Sequence, residues 1–191
     1  MSVTESAHKF VDPKVQEYLV QHFQPLNLNM ARVTRLVKLH RQGRSHPDFV
    51  ADDFDDVLRS AVILLHAALE EFVRDVIRQM LCDKGISAGF IDVLIEKKTF
   101  NRVHQIKRML KPLVQWSEET EKELKKLEAT LDELATRRHE IAHRADISKG
   151  QGGAQPIDPD TVEKWRGAMF DFALFVLVEV VRRRAGDNLR S

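Results

Sequence analysis

The chain has 191 residues, 43% of them apolar and 31% charged, which is enough to bury one core unaided and too apolar for a disordered chain. Thirty lysines and arginines nearly cancel twenty-nine aspartates and glutamates, so overall charge favours no nucleic-acid partner and any basic surface must be local. The single cysteine, Cys82, excludes an internal disulfide and fits a reducing compartment; its expected state is a buried or half-buried bystander.

The first ten residues, MSVTESAHKF, lack the apolar run of a signal peptide. The longest apolar stretch, Ala168 to Val178, is short and interrupted by Asp171, so no membrane contact is expected and the expected compartment is the cytoplasm.

Eight glycines and six prolines are the main punctuation, and no alternating valine- or threonine-rich segment occurs. Every element therefore reads as helix. The first runs from about Pro13 to Gln42 and carries Val15, Leu19, Phe23, Leu28, Val33, Leu36, Val37 and Leu39, with a kink expected near Pro25 and an end at His46-Pro47. In the second, Phe54, Leu58, Ala61, Leu65, Leu69, Phe72, Val76 and Met80 recur at steps of three and four, the stripe of a core-facing helix. Asp52 and Asp53 favour its start and Gly85 closes it.

Ser87 to Leu113 is less regular and reads as one or two short helices ending near Pro112. Ser117 is the expected N-cap of a long helix with Glu118 and Glu119 in its first turn. Its stripe is Leu124, Leu127, Leu131, Leu134, Arg138 and Ile141, apolar except for the arginine. A loop follows from Arg144 to Ile157, and Asp158-Pro159 opens the last helix as cap and first-turn proline. Trp165, Met169, Phe172, Phe175, Val176 and Val180 supply its buried side. Residues 168–178 are apolar almost all round, which makes this helix central or shared with a second subunit. Arg182 to Arg184 suit a helix C-terminus. The predicted fold is an all-α, up-down bundle of four main helices with short extra helices. It forms one domain over 1–191, in which 1–50 is an N-terminal helical extension and 52–185 the core bundle.

The segment from Thr136 to Arg144, TRRHEIAHR, carries two overlapping signatures. One is HExxH, with His139 and His143 on one helical face for zinc and Glu140 as base, and with Glu163 as a nominal third ligand. Against zinc stand the flanking cations Arg137, Arg138 and Arg144, which oppose a divalent ion, and the absence of any predicted sheet beside the helix. The other signature is Arg-x4-His, met by Arg138 and His143 with polar His139 next to the arginine. Spacing alone does not single it out, because Arg35 with His40 and Arg41 with His46 repeat it. Context does: Arg138 stands where the stripe should be apolar, and a buried guanidinium is costly unless paired. His143 falls where the helix gives way to the loop.

RRHEIAHR, followed by a loop and DPDTVEKW, resembles the HEPN superfamily, and within it the RiboL-PSP type. LLHAALEEFVRDVIR is similar to that family's second helix, with acidic Glu70 two positions before aromatic Phe72. The resemblance covers roughly 54–184. It departs at His139, where the family often has asparagine or aspartate. It implies a metal-independent endoribonuclease with no cofactor, using the RNA 2′-hydroxyl as internal nucleophile, in a toxin–antitoxin or phage-defence setting. It further implies His143 as acid-base catalyst, Arg138 as stabiliser of charge on phosphorus, His139 as a substrate-orienting or assisting group, and Glu70 as the holder of Arg138. Histidine's ordinary pKa and arginine's planar, permanent charge suit those roles.

Residues five apart on a straight helix lie about 140° round the axis, so one chain presents Arg138 and His143 poorly to a single phosphate. The resemblance implies a homodimer with the site at the subunit interface, RNA as substrate, and an antitoxin or regulatory partner. Two other readings belong to different classes: a non-catalytic HEPN dimer serving as an RNA-binding or protein-interaction module, and the HExxH zinc hydrolase. Away from the motif, His66 reads as a core-edge histidine paired with Glu70 one turn on, and Glu71 as solvent-facing.

Overall fold

A computed structural model describes residues 13–46, 54–96, 98, 100, 102–114, 116–144 and 155–188 of the chain. Six helices and no strand occur among the described residues: α1 (Pro13–Arg44), α2 (Asp55–Cys82), α3 (Ala88–Glu96), α4 (Val103–Leu110), α5 (Glu118–Arg144) and α6 (Pro159–Asn188). The expected Asp52, Asp53 and Pro47 signals, and most of the loop before Gln155, lie outside the described residues.

Local chemistry accounts for the ends. Asp55 and Asp56 occupy the first turn of α2 and meet the positive end of its dipole. At the other end Gly85 adopts a positive φ of 77°. The Ile86 N–H then reaches the Leu81 carbonyl and the Gly85 N–H that of Cys82, a Schellman closure of the helix. Ser117 Oγ accepts the Thr120 N–H at the start of α5, and Asp158 Oδ2 accepts the Thr161 N–H at the start of α6. Pro25 lies inside an unbroken α1.

Side-chain ties between ends fix the topology. Arg41, near the end of α1, pairs with Asp160 at the start of α6, and His40 Nε2 lies 3.4 Å from Asp55 Oδ1 at the start of α2. Arg184, late in α6, pairs with Asp83 just past α2, while Ser117 and Thr120 at the start of α5 bond Glu179 late in α6. The four long helices therefore alternate in direction round the bundle in the order α1, α2, α5, α6. Helix α3 leans on α2 and α4 on α5.

The predicted α2 stripe is buried from Leu58 to Met80. In α1 the buried set is Leu26, Met30, Val33 and Val37, in the same core as the other helices. Leu28 and Leu39, expected in that stripe, are exposed; each follows a buried residue by two positions, about 200° round the helix. Gly43 is where α1 and α2 come closest: a Cβ there would stand 2.0 Å from the Phe54 ring. Cys82 is exposed, not buried. The basic end of α6 is tied down: Arg182 pairs with Glu179, Arg183 donates to the Leu113 carbonyl, and Arg184 binds Asp83.

Glu179 is a buried carboxylate, 3% exposed at its side chain. Burial opposes its charge, but donation from the Thr120 and Ser117 hydroxyls, with Arg182 alongside, outweighs this and holds the carboxyl below the ordinary glutamate value. A group with a lowered folded pKa stabilises the fold above its unfolded value, and that contribution is lost as pH falls through the folded value. Glu179→Gln is accordingly expected to lower stability by about 1–2 kcal/mol at neutral pH, with the gap to the parent closing as pH drops below the ordinary glutamate range. Urea melts at neutral and acid pH check this; a gap independent of pH contradicts it.

Candidate active site

The last two turns of α5 carry the polar motif, and each of its side chains leaves in a different direction. The leucine stripe of α5 reaches Leu134, after which the next inward positions, three and four residues on, are both arginines. Arg137 takes the buried one, at 8% exposure. Its guanidinium donates to Gln155 Oε1 at 2.7 Å and to the Gln155 carbonyl at 2.8 Å, and lies 3.6 Å from Glu140. Arg59 of α2 donates to the same carbonyl at 3.0 Å. Residue 155, where the chain enters α6, is thus clamped from two helices. The expectation that Arg138 is the buried, paid-for cation of the motif is corrected here: that cation is Arg137, and Arg138 is only half-buried.

Arg138 makes no hydrogen bond or ion pair with another described residue, but its charge acts on the ring of His66 in α2. His66 is buried, and its Nδ1 lies 3.8 Å from Glu70 Oε2. The other Glu70 oxygen accepts the Phe100 N–H at 3.4 Å, so neither oxygen bonds Arg138 directly. Arg74, one turn further along α2, donates to the carbonyls of Ile95 and Lys98 and lies over the Phe100 ring, 5.3 Å from its centre. Glu70 and Arg74 together fasten the link between α3 and α4.

His139 and His143 are both exposed, one turn apart, with ring centres 4.7 Å apart and planes tilted by 48°. The pair therefore presents two imidazoles to solvent from one edge of the helix. Arg138 and His143 are brought to the same helix end but not to one face.

A cleft of about 480 Å³ opens beside them between α5, the start of α6 and residues 155–158. Thr136, Arg137 and Glu140 line it, with Asp132, Glu133 and Asp158. His143 lies seven residues on from Thr136, about 20° round the axis, so it extends the cleft's face; Arg138 points the other way. Carboxylates outnumber the two lining cations, Arg102 and Arg137, so the cleft is not a seat for phosphate. For the zinc reading, Glu140 is paired with Arg137, and Glu163 with Arg166 at 2.6 Å. Among the described residues no group of three or more His, Cys, Asp or Glu is placed to hold a metal ion.

The family model described as RiboL-PSP-HEPN matches residues 31–174, from the middle of α1 to the middle of α6. The chain belongs to the RiboL-PSP-HEPN family. Comparison with curated proteins and with solved structures finds no match. The family stretch takes in the whole of α2 to α5, and so both the Glu70 region and the TRRHEIAHR segment of this HEPN domain. Its all-α bundle agrees with the fold expected from the resemblance. No helix among the described residues is long and apolar enough to cross a membrane.

Sequence reasoning missed Arg137 and the cleft. The tie from Arg137 to Gln155 spans 18 residues, and no local spacing rule reports it. The signal it could have used was the pair of adjacent arginines after Leu134, which leaves two inward positions to be told apart.

Proposed function

We propose that this HEPN protein is a metal-independent endoribonuclease whose working parts are Arg138, His139 and His143 at the end of α5, supported by Glu70. The observation that carries the reading is the exposed, stacked pair His139–His143 beside a half-buried arginine that no described residue neutralises by a direct bond. Membership of the HEPN family points the same way.

The chemistry needs one base and one acid. A histidine takes the proton of the RNA 2′-hydroxyl, and the 2′-oxygen bonds to phosphorus. The bond from phosphorus to the 5′-oxygen breaks, and a second imidazole protonates that oxygen. The products are a 2′,3′-cyclic phosphate and a 5′-hydroxyl. Arg138 faces the charge that grows on the phosphoryl oxygens, which a planar, permanent cation offsets through two parallel hydrogen bonds.

Arg138 and His143 leave α5 about 140° apart, so one copy offers them to different sides. A symmetric dimer juxtaposing two α5 ends supplies His143 from each copy and an arginine within reach of the same phosphate. The half-buried Phe170 and Phe175 on α6 suit such a contact. A toxin–antitoxin or phage-defence role, with an inhibitory partner, belongs to this same reading.

Incubating the protein with RNA in excess EDTA tests it. Cleavage is expected to persist, and sedimentation is expected to give a dimer. Loss of cleavage on chelation favours the zinc hydrolase, and activity confined to a strict monomer removes the shared site.

A further inference from the structure

Outside the motif, α2 holds a polar group that packing alone does not require. His66 is 1% exposed, in a stretch where its helical neighbours Val62, Leu65 and Leu69 are apolar and buried. Its Nδ1 is buried with no hydrogen-bond partner. An unpaired buried nitrogen is costly, and a leucine would fill the space without that cost. The Nδ1 to Glu70 distance of 3.8 Å is too long for a hydrogen bond to a neutral ring and short enough for an ion pair once the ring is charged. Glu70 is anchored through its other oxygen on the Phe100 N–H, so its free oxygen has little travel to make.

We propose that His66 is a positioning residue for Arg138, acting through Glu70 and tying the site to pH. With the ring neutral, the free Glu70 oxygen stays available to orient the Arg138 guanidinium. With the ring protonated, that oxygen closes on the imidazolium, which also repels Arg138. Two charges act on the ring, Glu70 from its own helix and Arg138 from α5; the contact that Glu70 makes with the α3–α4 link is to a neutral N–H. Burial holds the His66 pKa below the ordinary histidine value; Glu70 pulls against this and Arg138 adds to it. The site is thus set for the neutral ring at neutral pH, and the switch falls on the acid side of histidine's usual range. The effect on cleavage rests on the ribonuclease reading; the coupling between the two side chains does not.

The test therefore has two arms. Side-chain NMR of the full chain follows the His66 ring and the Arg138 Nε–H signal from neutral to acid pH. The Arg138 signal is expected to shift with the midpoint of His66, and to stop doing so in Glu70→Gln. An Arg138 signal that stays still through the His66 titration overturns the proposal, and this arm needs no variant of His66. In the second arm, His66→Gln is expected to cut RNA roughly tenfold more slowly at neutral pH and to lose one proton from the acid limb of the pH profile. A profile of unchanged shape overturns it. If coupling is seen but no RNA is cut, the coupling stands and the ribonuclease reading falls.

Discussion

Replacing His143 with alanine is expected to slow RNA cleavage by about 10²–10⁴-fold, the usual contribution of a positioned acid-base group. The fold should not notice. His143 is exposed in the last turn of α5, and its described contact is the neighbouring ring of His139, so circular dichroism and melting temperature should match the parent. Arg138→Ala is expected to cost about 10²–10³-fold, as for other groups that meet charge developing in a transition state. Arg138→Lys should recover little, since an ammonium lacks the planar fork. His139→Ala is expected to have the smallest effect of the three. Steady-state cleavage of a labelled RNA checks the series, and a His143→Ala protein that cuts at the parental rate places the chemistry elsewhere.

Replacing Arg137 with alanine is expected to act on the fold first. Its guanidinium holds the side chain and carbonyl of Gln155 and faces Glu140. Removing it leaves buried acceptors without a donor and loosens the chain just before α6. Hydrogen bonds to a charged donor are worth about 1.5–3 kcal/mol each way of counting, so a loss of about 2–3 kcal/mol is expected in a urea melt. Activity should fall too, because the same helix end carries His139 and His143. The neighbouring pair of arginines thus gives opposite signatures: Arg138→Ala loses activity with stability kept, while Arg137→Ala loses stability. A stable Arg137→Ala protein contradicts this division.

That division also marks where sequence stops being informative. The α2 stripe from Leu58 to Met80 was legible because a helix in the middle of a bundle buries one continuous face. The caps at Ser117 and Asp158 and the stop at Gly85 were legible because their partners lie within a few residues. Leu28 and Leu39 misled because hydrophobicity says nothing about which side of α1 meets α2. After Leu134 the helical period allows either arginine to point inward, and the choice is made by Gln155, far along the chain. Glu70 before Phe72 was visible as a pattern, yet its bond to the Phe100 N–H spans 30 residues. Glu179 offered no local sign at all, since Ser117 and Thr120 reach it from another helix.

The most direct measurement is of the ends left on cut RNA. The protein is incubated with a defined RNA in EDTA, and the fragments are resolved by mass. Internal attack by the 2′-hydroxyl predicts a 2′,3′-cyclic phosphate on one fragment and a 5′-hydroxyl on the other, both absent with His143→Ala. Fragments ending in 3′-hydroxyl and 5′-phosphate, or intact RNA, contradict the account.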